Sequence, residues 1–173
     1  MTLKTTLMEQ AIQQETEEAP KFLFGAPEGQ DARILAAHAE ALAKERRVLV
    51  HVALDDARVA TLKDLLAFFA PKVEVLEFPA WDCLPYDRVS PGHDIVGRRV
   101  HALCTLLAWK EEQKYLPRIV LTTVNALLQR VTPRRSLENS SFLIQAGGKL
   151  DMAAFQTYLA GNGYLRTETV REA

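Results

Sequence analysis

Cysteine is scarce in this 173-residue chain: Cys83 and Cys104 are the only two. So few thiols, so far apart, exclude a disulfide framework and a cysteine-based metal spacing, and they fit a reducing cytoplasm. Charge of one sign is lacking too, since 21 Lys and Arg balance 22 Asp and Glu for a formal net charge of −1. No overall basic field therefore advertises nucleic-acid binding. No window approaches the roughly 20 apolar residues of a membrane span, and the opening MTLKTTLMEQ has no apolar signal core. Internal repeats and low-complexity segments are absent. What is present is ordinary globular material, 48% hydrophobic and 25% charged. It suffices for a sizeable core in one domain, or one domain and part of a second.

That material is arranged around Phe78–Arg99, FPAWDCLPYDRVSPGHDIVGRR. Pro79, Pro85 and Pro91 fix φ and lack N–H groups, so this stretch is neither a central strand nor a helix interior. A long ordered connector of this kind is functional or structural by design. On either side the pattern alternates. Residues 1–20 read as a polar arm or short helix, and Phe22–Phe24 as a first strand ending at Gly25. Asp31 is a candidate N-cap for a helix carrying Ile34, Leu35, His38, Ala41 and Leu42 on one face. Val48–Ala53 reads as a buried parallel strand. Asp55 or Asp56 caps a helix with Val59, Leu62, Leu65, Leu66 and Phe69 inward, which Pro71 stops. Val73–Phe78 is the next strand. After the connector, a helix from about Asp94 to Ala108 turns Ile95, Val96, Val100, Leu103, Leu106 and Leu107 inward. Arg118–Leu121 is a strand, and Thr122 or Thr123 caps a short helix to Val131. Residues 21–131 thus predict an α/β domain, a parallel sheet with helices on both faces.

Thr132–Ser141 reads as a polar connector and a domain boundary. Beyond it come a strand at Phe142–Ile144, a turn at Gly147–Gly148, a helix capped by Asp151 and ended by Gly161 or Gly163, and a strand at Leu165–Val170. Two strands and one helix cannot bury a core alone, so residues 132–173 are expected to be the start of a small α+β domain.

The junction from Gly25 into the first helix stands where a phosphate-binding loop belongs. The working pattern G-x-x-x-x-G-K-[ST] uses backbone N–H groups and a lysine for phosphate and a hydroxyl for Mg²⁺. Laid over Gly25, with Gly29 just before it, the second glycine falls on Gln30, the lysine on Asp31 and the hydroxyl on Ala32. Asp31 even places a carboxylate where phosphate would sit. The expectation is a glycine turn with no nucleotide, no cofactor and no catalytic residue. The spacing of Asp82, Asp87, His93 and Asp94 demands no metal, and loop aspartates are commonly caps and turns. Cys83 has no adjacent base to make it a nucleophile. Trp81 and Tyr86 could stack on bases, and Arg98, Arg99, Arg130, Arg134 and Arg135 could touch phosphates. Their plainer readings are a plugged core edge and a solvated face.

WDCLPYDRVSPGHDIVGRRVHAL followed by IVLTTVNALLQRVTP resembles the N-terminal region of the bacterial transcription-repair coupling factors. The recurrent W-x-x-L-P-Y-D…S-P motif stands as Trp81, Leu84, Pro85, Tyr86, Asp87, Ser90 and Pro91, and the likeness runs from about Phe22 to the end. It implies a module related to the repair helicase UvrB, with a helicase-like (RecA-like, P-loop NTPase-like) fold, a degenerate Walker loop and a following domain similar to the one by which UvrB binds UvrA. In UvrB the equivalent of the Trp81–Asp94 loop belongs to a tyrosine-rich DNA-clamping hairpin, of which only Trp81 and Tyr86 have counterparts here. Within GYLRTETVREA, Arg166 matches an arginine of the UvrA-binding motif. The function so implied is a non-catalytic, cytoplasmic interaction module recruiting UvrA for transcription-coupled nucleotide excision repair. The intact protein would be an ATP-dependent DNA translocase displacing stalled RNA polymerase through other parts. The alternative is a nucleotide- or DNA-binding domain of a UvrB-like helicase.

Overall fold

The computed structural model describes residues 24, 25, 27–83, 88, 90–112, 114–140, 144 and 147–167. The chain divides after Asp31. In the first part Gly25 and Gly29 adopt φ of +71° and +83°, and the Gln30 N–H meets the Pro27 carbonyl at 3.0 Å, opening helix α1 (Gln30–Ala43). Asp31 therefore lies inside the first turn of α1 and not ahead of it as a cap, because the Pro27–Gln30 turn starts the helix one residue earlier. The expected strand at Phe22–Phe24 falls largely outside the described residues; Phe24 itself is exposed and not in a strand.

In the second part, strand β1 (Leu49–Ala53), helix α2 (Asp56–Phe69), strand β2 (Glu74–Phe78), helix α3 (His93–Glu111) and strand β3 (Arg118–Thr123) alternate as the apolar periodicity requires. The strands pair in parallel in the order β1-β3-β2, with Leu49 opposite Ile119 and Glu74 opposite Arg118 at the start of each ladder. The handedness of parallel crossovers then decides where the helices go. The connection from β1 to β2 steps one way across the sheet, and the return from β2 to β3 steps back. Two right-handed connections of opposite sense must use opposite faces. The core obeys this. Ile119 and Leu121 join Ala32, Ala36, Ala39, Val59, Leu62 and Leu66 on the side of α1 and α2. Val120, Leu76 and Phe78 join Ala102, Leu103 and Leu106 of α3 on the other. All six residues of β3 are buried.

The helix boundaries have local causes. The Asp55 carboxylate accepts from the Arg58 N–H at 2.8 Å and caps α2, which ends at Phe69, ahead of Pro71. Thr123 accepts from the Ala126 N–H and starts α4 (Val124–Leu128). At the end of α1 the Arg46 N–H reaches the Ala43 carbonyl and the Arg47 N–H reaches Leu42, both at 3.0 Å. This Schellman ending puts Arg46 at φ +57°, where glycine is usual and an L side chain costs about 1–2 kcal/mol.

Several expectations are corrected. β1 is not buried on both sides: Val50 is 54% and Val52 40% exposed, because among the described residues α3 packs over β2 and not over that side of β1. On α3, Val100 points outward and Arg99 and Ala102 are the buried residues. Phe69 is exposed and rests edge-on against Phe68. The polar stretch after Thr132 contains a helix, α5 (Arg134–Ser140), which Pro133 can start because its missing N–H is not needed there. Within α5 Arg134 pairs with Glu138 at 2.5 Å, and it ties the helix to Glu111 of α3 at 3.6 Å. The expected strand at Phe142–Ile144 lies outside the described residues except for Ile144, which is not in a strand. Leu165, Arg166 and Thr167 are likewise not in a strand, and the rest of that segment is outside the described residues. Helix α6 (Met152–Gly161) is capped by Asp151, which accepts from the Ala153 and Ala154 N–H groups at 2.9 and 3.1 Å.

Leu62 is fully buried between α2 and the sheet. Leu62→Ala is expected to cost about 2–5 kcal/mol in urea unfolding, against less than about 0.5 kcal/mol for the exposed Val100→Ala. Equal midpoints for the two variants would contradict this packing.

Candidate functional site

The connector after β2 is held by one buried guanidinium. Arg99, 2% exposed, reaches from α3 beneath the loop. Its Nη1 donates to the Pro79 carbonyl at 2.5 Å and to Gln129 Oε1 at 3.2 Å. The same Gln129 oxygen accepts from the Trp81 N–H at 2.8 Å. The guanidinium carbon lies 4.4 Å from the centre of the Phe78 ring and 4.3 Å from that of Trp81, within cation–π range. Burial pushes the Arg99 pKa below its ordinary value, yet an arginine so far above neutrality stays charged. The far side of the loop closes through Asp82, whose two carboxylate oxygens each accept from the Gly92 N–H at 3.1 Å. A Cβ on Gly92 would come within 2.8 Å of that carboxylate.

Of the resembling motif, Trp81 is half-buried against Arg99, Ser90 is exposed and Pro91 half-buried. Leu84, Pro85, Tyr86 and Asp87 lie outside the described residues. Arg99 is sealed inside and cannot meet a phosphate, and Arg98 is engaged by Glu77, which also pairs with Lys63 of α2 at 3.3 Å. The other buried arginine, Arg118, bonds Glu74 at 2.8 Å and Glu112. Burial would lower its pKa, but those two carboxylates outweigh that and raise it. In the glycine turn, Gln30 and Asp31 are half-buried and Ala32 is packed in the core. Among the described residues no group of three or more His, Cys, Asp or Glu side chains is placed to hold a metal.

Arg166 sits elsewhere, beside the end of α6. There the Gly163 N–H bonds the Ala160 carbonyl at 3.2 Å and the Tyr164 N–H bonds Leu159 at 3.0 Å. This is the second Schellman ending, and Gly163 takes the left-handed position at φ +85°. The turn folds Tyr164, Leu165 and Arg166 back beside Gln156, Leu159 and Ala160 to line one cleft. Leu165 is 90% and Tyr164 65% exposed. Sequence reasoning singled out Arg166 but missed its apolar neighbours; Leu159 and Tyr164 flanking a G-N-G turn were the available signal. It also missed Gln129, which no pattern marks, and the burial of Arg99. That arginine lies three or four residues from Ile95, Val96, Ala102 and Leu103, in the middle of the inward stripe.

Gln129→Ala would leave the Trp81 N–H without its acceptor and remove one partner of Arg99. A loss of about 1–3 kcal/mol in urea unfolding is expected, with a change in Trp81 fluorescence. Leu128→Ala, at an exposed neighbour, serves as the control. Equal stability of the two variants would show that Gln129 does not hold the loop.

No protein-family profile matches the chain. It is similar to the transcription-repair-coupling factor of Escherichia coli K12, 29% identical over 124 residues, which is 72% of this chain and 10% of that protein. The Haemophilus influenzae protein of the same name is 29% identical over 131 residues, 76% of this chain and 11% of the relative. The Mycobacterium bovis protein is 38% identical over 104 residues, 60% of this chain and 8% of the relative. The chain thus spans about a tenth of the length of the curated relatives it matches. Those relatives all carry one name, and the chain is consistent with the N-terminal region of a transcription-repair coupling factor.

Proposed function

We propose that this chain is a UvrB-like, non-catalytic interaction module of a transcription-repair coupling factor, working in the cytoplasm to recruit UvrA. The observation that carries the reading is the cleft at the end of α6, where Arg166 stands beside exposed Tyr164 and Leu165. Tyrosine and arginine are over-represented among residues that dominate binding energy, and an apolar floor beside a planar cation suits a protein partner. The degenerate loop supports the non-catalytic part, because Asp31 and Ala32 supply neither the cation nor the hydroxyl that a nucleotide–Mg²⁺ site uses. ATP hydrolysis, DNA translocation and displacement of stalled RNA polymerase belong, on this reading, to other parts of the intact protein.

Calorimetric titration of UvrA with this chain tests the proposal. Arg166→Ala is expected to weaken binding by about tenfold or more, the effect of losing a well-placed interface arginine. Gly163→Ala strains the turn that presents Tyr164 and should weaken binding as well, with the sheet left folded. Failure of UvrA to bind, or unchanged affinity in both variants, rejects the assignment. Saturable ATP binding would instead favour the UvrB-like helicase reading.

A further inference from the structure

We propose that the groove between α1 and the turn from α2 into β2 docks a second copy of this chain, with the two α1 helices antiparallel. The groove has a volume of about 360 Å³ and lies between α1 and residues 69–73. Four α1 residues line it: Arg33, Ala36, Ala37 and Glu40. Steps of three, four and seven residues put them on one helix face. Ala36 is buried in the floor. The exposed Arg33 and Glu40 stand at either end, about 10 Å apart at a rise of 1.5 Å per residue. Across the groove Phe69 is 47% exposed. Phe68, 79% exposed, stands edge-on against it with the ring centres 4.9 Å apart.

The plain reading of two exposed charges is a solvated face. It does not account for Arg33, which stands near the start of α1, where the helix dipole disfavours a cation. The third charge of the groove, Lys72, needs no such account, because it follows the end of α2, where a cation is favoured. Neither Arg33 nor Glu40 makes an ion pair among the described residues. Opposite charges at the two ends of an apolar helix face are complementary to themselves. A two-fold axis between Ala36 and Ala37 sets each Arg33 against the partner's Glu40, and an isologous contact makes both pairs at once. The alanines let the two helix axes approach to about 8 Å, the short end of helix packing. Covering Phe68, Phe69 and one face of α1 in each copy removes about 900 Å² from water in all, taking roughly 200 Å² for a whole aromatic side chain. An interface of that size is transient, so the dimer is weak, micromolar or looser.

Sedimentation equilibrium of the chain at micromolar to millimolar concentration and low salt should show monomer and dimer in exchange, with added salt favouring the monomer. Arg33→Glu and Glu40→Arg each turn two attractions into two repulsions, and each should weaken the dimer about tenfold. Arg33→Glu/Glu40→Arg exchanges the two signs and should restore it, which a dimer built elsewhere on the chain would not do. Both sites are exposed, and Arg33→Glu suits the start of a helix, so melting temperatures should hold. Phe68→Ala should loosen the dimer and leave its salt dependence unchanged. A dimer that Leu165→Ala splits instead belongs to the α6 cleft and overturns the proposal. Monomer at every concentration leaves the groove to a different partner and overturns it as well. So does a dimer that the single reversals leave intact, or one that the double exchange fails to restore.

Discussion

Arg99 is the constraint to which the long connector answers. A guanidinium buried without partners costs several kcal/mol, so the surrounding chain must come to it. The partners come from three places: the Pro79 carbonyl just after β2, the Gln129 amide just after α4, and the rings of Phe78 and Trp81. One side chain of α3 thus fixes the exit of β2, the start of the connector and the end of α4. Thr122 adds a stitch from the central strand, donating its hydroxyl to the Phe78 carbonyl at 2.9 Å. Pro79 and Pro91 lie outside helix and strand at its described ends, and the Asp82–Gly92 contact brings those ends together.

Much of this architecture was legible in the amino-acid order. Strands rich in Val, Ile and Leu, helices with a three-to-four-residue apolar stripe and caps at Asp55, Thr123 and Asp151 all follow from local chemistry. What was not legible required knowing neighbours. Val50 and Val52 read as buried, yet whether a strand is covered depends on where α3 lies. Arg99 read as exposed because arginine usually is; its burial depends on an amide 30 residues later in the chain. Arg134–Ser140 read as a linker because it lacks an apolar stripe; Leu137 is nevertheless buried, and Arg134 ties the helix to Glu111 of α3. At the C-terminal cleft the arginine was legible by resemblance, while the turn that carries it was visible only as hydrogen bonds.

Parallel sheets ordinarily bind nucleotides at the C-terminal ends of their strands, where the turn into a helix supplies free N–H groups. In this chain the turn into α1 carries Asp31 and Ala32, neither a lysine nor a hydroxyl. Two helix endings are closed by a residue in the left-handed region, Gly163 in one and Arg46 in the other. The same six-residue hydrogen-bonding pattern thus serves two ends: in one it turns apolar side chains and an arginine outward, and in the other it carries an arginine that donates to the Tyr115 hydroxyl.

The order β1-β3-β2 also governs how the chain is made. Within the described sheet, β1 and β2 never touch; each pairs only with β3, the last of the three to leave the ribosome. Until about the 123rd residue emerges, the two earlier strands have open backbone edges and only their helices for cover. Closing the sheet means inserting the most buried strand into a slot already flanked on both sides, an event of long sequence separation and therefore slow. The nascent sheet passes through its most adhesive state before β3 is made, and the six residues Arg118–Thr123 close it.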